Sequence, residues 1–116
     1  MIKVSWPKGN KYGNKKTEFG GRVYDSRLEA RLAAEIELLI KGRAVKRVEP
    51  QKSFELRGMR GIVCRHVVDF LVHFPDGHVE AWDAKGKGTA EWKIKKKLFE
   101  DNYPEIKYVV RTKDDI

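Results

Sequence analysis

The spacing of apolar and polar positions changes several times along the chain, and each change marks an element. Between residues 26 and 41, Leu28, Leu32, Ala33, Ile36, Leu39 and Ile40 fall in one arc at about 100° per residue, which predicts an amphipathic helix. Asp25-Ser26 opens it and Gly42 closes it. Strand-like runs follow at 44–48 and 53–56. The run 62–74, rich in β-branched and aromatic residues, predicts a central strand. Pro75-Asp76-Gly77 predicts a tight turn into a further strand over Val79–Ala84. Thr89 caps a second helix over Ala90–Asn102, stopped before Pro104, and 106–110 has the apolar character of a short buried strand.

Upstream, Thr17-Glu18-Phe19 and Arg22-Val23-Tyr24 flank Gly20-Gly21, a small hairpin pattern. The order predicts an α/β fold: one mixed β-sheet flanked by helices, in a single domain. Residues 1–24 form a basic N-terminal arm with the small hairpin, and residues 25–116 form the core. In the second helix, Trp92, Ile94, Leu98, Phe99 and Tyr103 make the expected inward arc, with Lys95 projecting into it. Lys93, Lys96 and Lys97 make a basic stripe on the other side.

Composition sharpens this picture in two respects. Among 116 residues, Lys and Arg number 25 against 17 Asp and Glu, for a net charge of +8. A small basic domain most often meets a polyanion, and nucleic acid is the first expectation. The single cysteine, Cys64, excludes an intrachain disulfide and a Cys-rich zinc site. The first sixteen residues carry five lysines but no apolar core for a signal peptide, and no run reaches membrane-spanning length. A soluble protein of the cytoplasm, or of the host cytoplasm if phage-encoded, is the expectation.

The turn at residues 75–77 sets the register of the candidate chemistry. If Gly77 supplies the left-handed residue of a three-residue hairpin loop, Phe74 faces His78 and Asp69 falls opposite Asp83. Val67 then falls opposite Lys85, and strict alternation puts Asp69, Asp83 and Lys85 on one face. Two like charges directly across a sheet destabilise it unless something positive lies between them. Such a pair is an oxygen-rich site suited to Mg²⁺ or Mn²⁺. On the first helix Glu29 lies within the apolar arc, aimed at the sheet, although Ser26-Arg27-Leu28-Glu29 is also a capping-box pattern. By the same alternation His66 belongs to the face away from Asp69 and reads as structural. His73 shares the Asp69 face but lies about 13 Å along the strand.

With Glu29 on a helix, Asp69 on a strand and Asp83-Ala84-Lys85 on the next, the sequence resembles the PD-(D/E)XK nuclease superfamily. More narrowly, the stretch over residues 11–32 (KYGNKKTEFGGRVYDSRLEARL), VVDF at 67–70 and DAKGKG at 83–88 are similar to a family of short phage and prophage resolvase-like endonucleases. Acid-x-Lys occurs three times, beginning at Asp83, Glu91 and Glu105, but only the first copy has an acid facing it across a hairpin. The sequence departs from the superfamily pattern in lacking a Pro before Asp69 and in having Asp rather than Glu at the start of acid-x-Lys.

The resemblance implies a restriction-endonuclease-like αβββαβ core. It also implies a Mg²⁺- or Mn²⁺-dependent endodeoxyribonuclease, structure-selective in the manner of a Holliday junction resolvase, acting in recombination or repair on branched or duplex DNA. Asp69, Asp83, Glu29 and the Ala84 carbonyl would hold the metal, and Lys85 would stabilise charge in the transition state. Lys11, Lys15, Lys16, Arg22, Lys87, Lys93, Lys96 and Lys97 would contact phosphates. Paired cuts imply a homodimer without membrane association. The competing readings are a monomeric nicking endonuclease of mismatch-repair or homing type, and a non-catalytic DNA-binding protein that keeps the fold.

Overall fold

A computed structural model describes residues 17–19, 22–24, 26–86 and 88–114. The elements run β1 (Thr17–Phe19), β2 (Arg22–Tyr24), α1 (Arg27–Lys41), β3 (Arg47–Gly58), β4 (Gly61–His73), β5 (Val79–Ala84), α2 (Ala90–Asn102) and β6 (Lys107–Arg111). β1 and β2 pair as a separate antiparallel hairpin. The main sheet has the order β3-β4-β5-β6, antiparallel except for the β5–β6 pair, which is parallel because α2 carries the chain back across the sheet. The architecture is therefore mixed α/β with a helix on each face.

α1 packs Ala30, Leu32 and Ile36 against Phe70, Val72 and Trp82. On the other face, Phe99 of α2 packs with Leu56, Val68, Leu71, Ala81 and Tyr108. Arg111 at the end of β6 clamps Glu35 of α1 through two nitrogens, at 2.8 and 2.9 Å, and lies over the Trp82 ring. No helix among the described residues is long and apolar enough to cross a membrane.

Two expectations about the elements need correction. The runs at 44–48 and 53–56 belong largely to one long strand, β3, which starts at Arg47 and continues through Pro50. β3 is an edge strand, where the missing Pro amide is tolerated, and Gln51 takes a left-handed φ of 51° beside it. Gly42 caps α1 as expected, at an ordinary φ of −82°, and the left-handed residue is the next one, Arg43 (φ 62°). Arg43 N–H donates to Ile40 O and Ala44 N–H to Leu39 O, the paired bonds of a Schellman end.

α2 is also rotated from the expected orientation. Trp92, Lys96, Phe99 and Tyr103 form its inner stripe, and Ile94 is 68 % exposed. The rotation lets the Trp92, Phe99 and Tyr103 rings meet Phe54 and Tyr108 at 4.9 to 6.2 Å. Lys96 therefore leaves the outer stripe. Its ammonium lies over the Tyr108 ring and pairs with Glu100, while Lys93 and Lys97 remain exposed. Lys95, set inside the apolar arc by the periodicity, is half-buried and pairs with Glu91 at 3.2 Å. Lys11, Lys15, Lys16, Lys87 and the Arg22 side chain lie outside the described residues.

Candidate active site

The hairpin between β4 and β5 has the register that the turn predicts. Gly77 takes φ 96°, Phe74 N–H donates to His78 O, and the ladder pairs His73 with Val79 through to Phe70 with Trp82. One step further, Asp69 and Asp83 stand level, and there the ladder stops. The carboxylates take over the backbone's hydrogen bonds. Asp69 N–H donates to Asp83 Oδ1 at 2.7 Å, and Ala84 N–H donates to Asp69 Oδ2 at 2.8 Å. The two acids thus bridge the point where the strands part. β5 turns toward β6, with Lys85 N–H donating to Arg111 O, so the expected Val67–Lys85 pairing does not form.

Alternation also fails at this point. Val68 and Leu71 both lie in the α2 layer, whereas Phe70 and Val72 lie in the α1 layer, so the strand slips by one residue around Asp69. The slip corrects the reading of His66. Strict alternation puts it on the face away from both acids, yet its Nε2 is 3.7 Å from Asp83 Oδ2 and 2.8 Å from Tyr108 Oη. Tyr108 donates its one hydroxyl hydrogen to Asp83, so His66 Nε2 is the donor to Tyr108. Trp92 Nε1 also donates to Asp83, at 3.2 Å. His73, by contrast, is bound to Glu49 at 2.7 Å and takes no part.

Glu29 enters from α1, 5 % exposed. The Ser26 side chain accepts from the Glu29 amide, so that half of the capping box is present. The Glu29 carboxylate accepts from Gln51 Nε2 at 3.0 Å. Gln51 sits between the Pro50–Phe70 and Lys52–Val68 pairs, level with Asp69, and its left-handed backbone is the kind of local strain found at functional positions. Lys85 lies with its ammonium 5.5 Å from the Trp92 ring centre, beside Asp83's donor. Gly88 makes room for this indole, because a Cβ there would lie 2.6 Å from the Trp92 ring. Gly86 has no such constraint.

The electrostatics divide the two aspartates. Burial raises the Asp83 carboxyl, but the nearby His66 ring and hydrogen bonds from Tyr108, the Asp69 amide and Trp92 outweigh it and hold Asp83 below its ordinary value. Asp69 has one amide donor. Burial first, then repulsion from Asp83 and Glu29, push it well above 3.8, and the Ala84 amide and Lys85 offset only part of that rise. The two carboxyls are therefore pushed apart, Asp83 toward the ionised form and Asp69 toward the protonated one. Burial and the neighbouring Asp83 charge likewise raise the Tyr108 hydroxyl, which therefore stays a donor.

The structure brings Glu29, Asp69, Asp83 and Lys85 into one region, between the N-terminal turn of α1 and the parting of β4 from β5. It does not gather the acids into a ligand shell: among the described residues no three His, Cys, Asp or Glu side chains are grouped so as to hold a metal ion. Their oxygens are taken up by Gln51, Tyr108, Trp92 and two amides. Gln51, Trp92, Tyr108 and His66 were not expected at the site. For Trp92 and Tyr108 a signal existed, since a polar ring tip in an apolar setting must find a partner. A lone Gln after Pro50 carries no such signal.

This mixed α/β domain, with a cluster of acids at a strand divergence, can be compared with known proteins. Residues 9–114 match the family described as Protein of unknown function (DUF1064), and the chain belongs to that family. No curated protein and no solved structure matches it.

Proposed function

We propose that the protein is a metal-dependent DNA endonuclease with a PD-(D/E)XK type of core, structure-selective in the manner of a Holliday junction resolvase and active as a homodimer. One observation carries the reading: two acids replace the ladder bonds where β4 and β5 part, and a third acid and a lysine lie beside them. A structural role alone is a poor account of that arrangement, because like charges across a sheet are destabilising and desolvation further disfavours the charge on Asp69.

The donors fit a hard divalent cation such as Mg²⁺ or Mn²⁺ in type, being carboxylate oxygens and a backbone carbonyl. Asp69 and Asp83 would hold the ion, with the Ala84 carbonyl and Glu29 completing the set. The ion would supply Lewis-acid stabilisation of charge on the phosphoryl oxygens and activation of a water. Asp69 accepts a single amide while burial and repulsion disfavour its charge, so it is the group whose ionised form a bound cation would stabilise most. Lys85 stabilises charge on the phosphate in the transition state. Tyr108, His66 and Trp92 hold Asp83 ionised and fixed in direction. Lys93, Lys97 and the basic arm supply sequence-independent phosphate contacts.

The test is incubation with Mg²⁺ or Mn²⁺ and four-way, nicked, flapped and linear duplex DNA. Cleavage favouring the four-way junction is expected, abolished in Asp83→Asn with DNA binding in chelator largely intact. Cleavage by that variant overturns the site. Equal cleavage of all substrates overturns the resolvase assignment, and a monomer in sedimentation at active concentrations favours a nicking enzyme.

A further inference from the structure

The β3–β4 hairpin is much longer than its place in the sheet requires. β4 pairs with β5 only over residues 70–73, so the hairpin beyond Asp69 extends past the rest of the sheet. From Asp69 to Gly61 is eight residues, about 27 Å of strand. This projection is braced along one side by α2. Tyr103 Oη donates to Glu55 O at 2.7 Å, and Asn102 accepts from Arg57 N–H and donates to Arg57 O, at 2.6 and 3.1 Å. The other side and the tip face solvent. Arg57, Met59, Arg60, Val63, Arg65 and Val67 are exposed, and Met59 is exposed in full.

A braced arm with an uncovered apolar and basic surface indicates a partner, and its charge indicates which kind. Between residues 52 and 65 there are four basic side chains and one acid, Glu55, which pairs with Arg65. We infer that the distal β3–β4 hairpin is a DNA-engaging arm: Arg57, Arg60 and Arg65 contact phosphates, and Met59 lies against the groove, roughly eight base pairs from the cleavage site. This rests on the endonuclease reading and adds a means of measuring the DNA beyond the scissile bond. Because the arm lies on the same strand as Asp69, its distance from the site is set by the strand itself. Contacts at both ends would favour DNA whose second arm lies along the hairpin, which is how a junction differs from an isolated duplex.

The test measures binding in chelator, by fluorescence anisotropy over a range of salt, to a four-way junction and a duplex of about 40 bp. The Arg57→Ala, Arg60→Ala, Arg65→Ala triple variant is compared with wild type. Arg60→Glu at the tip is a second variant, away from the α2 brace. The expected result is a salt dependence flatter by about 2 to 3 in log–log slope, from a loss of roughly 0.9 per phosphate contact, and at least a tenfold weaker junction affinity at the same melting temperature. Arg60→Glu should weaken junction binding by more than threefold.

Unchanged affinity and slope in both variants overturn the inference, as does a wild type that binds no DNA. Loss of affinity accompanied by a change of oligomeric state also overturns it, since the face would then join protein to protein. The two proposals fail separately: hairpin-dependent binding without any cleavage would remove the nuclease and leave the arm. Cleavage with hairpin-independent binding would do the reverse.

Discussion

Asp69 is the residue on which the account turns, because its environment opposes its own charge. Its carboxyl is raised, so between its unfolded value near 3.8 and its folded value the native chain binds more protons than the unfolded chain. Stability therefore falls as pH rises through that window, and the penalty is constant above it. Asp83 has the opposite sign: its lowered carboxyl contributes stability above 3.8 that is lost as pH falls through its folded value. A divalent cation that takes the place of the Asp69 proton should reverse the Asp69 trend. Thermal melts with Mg²⁺ or Mn²⁺ are expected to show a stabilisation that grows as pH increases across the Asp69 window, with proton release detectable by calorimetry in buffers of different ionisation heat. A cation effect that shrinks as pH rises would contradict the assignment of Asp69 as a ligand.

At the scale of elements, the boundaries outside β3 were largely legible in the sequence and the orientations less so. The start of α1, the whole of α2 and β5, and the Asp69–Asp83 register follow from Ser26, Thr89, Pro104 and the 75–77 turn, which act locally. The roll of α2 was not legible, since it is set by aromatic partners on β3 and β6 that are distant in sequence. The slip of β4 at Asp69 was hidden for a related reason. Alternation describes a strand with regular neighbours on both sides, and β4 loses its β5 neighbour there.

The end of α1 gives a prediction of its own. A side chain at φ 62° carries a cost of about 1–2 kcal/mol, whereas Gly42 is in an ordinary conformation with room for a Cβ. Arg43→Gly is therefore expected to raise stability by roughly 0.5–1 kcal/mol in chemical denaturation, even though Gly loses more freedom on folding. Gly42→Ala should be close to neutral. The reverse ranking would show that Gly42, as the sequence pattern suggests, is the residue that must be glycine.

For the whole molecule, fold and proposed chemistry meet at one seam. α1, β3, β4, β5 and α2 each deliver one or more groups to it: Glu29, Gln51, Asp69, Asp83 and Trp92. Acids opposed across a seam, Asp83 buried and Asp69 half-buried, cost stability that function must justify. The most direct measurement is a side-by-side comparison of wild type and Asp69→Asn, in DNA cleavage with Mg²⁺ or Mn²⁺ and in thermal unfolding without it. An Asn at this position keeps an oxygen to accept from the Ala84 amide and removes the repulsion. Cleavage is expected to be lost while the melting temperature rises. Cleavage retained in Asp69→Asn, or a wild type inert on every DNA tested with both ions, would contradict the proposed chemistry.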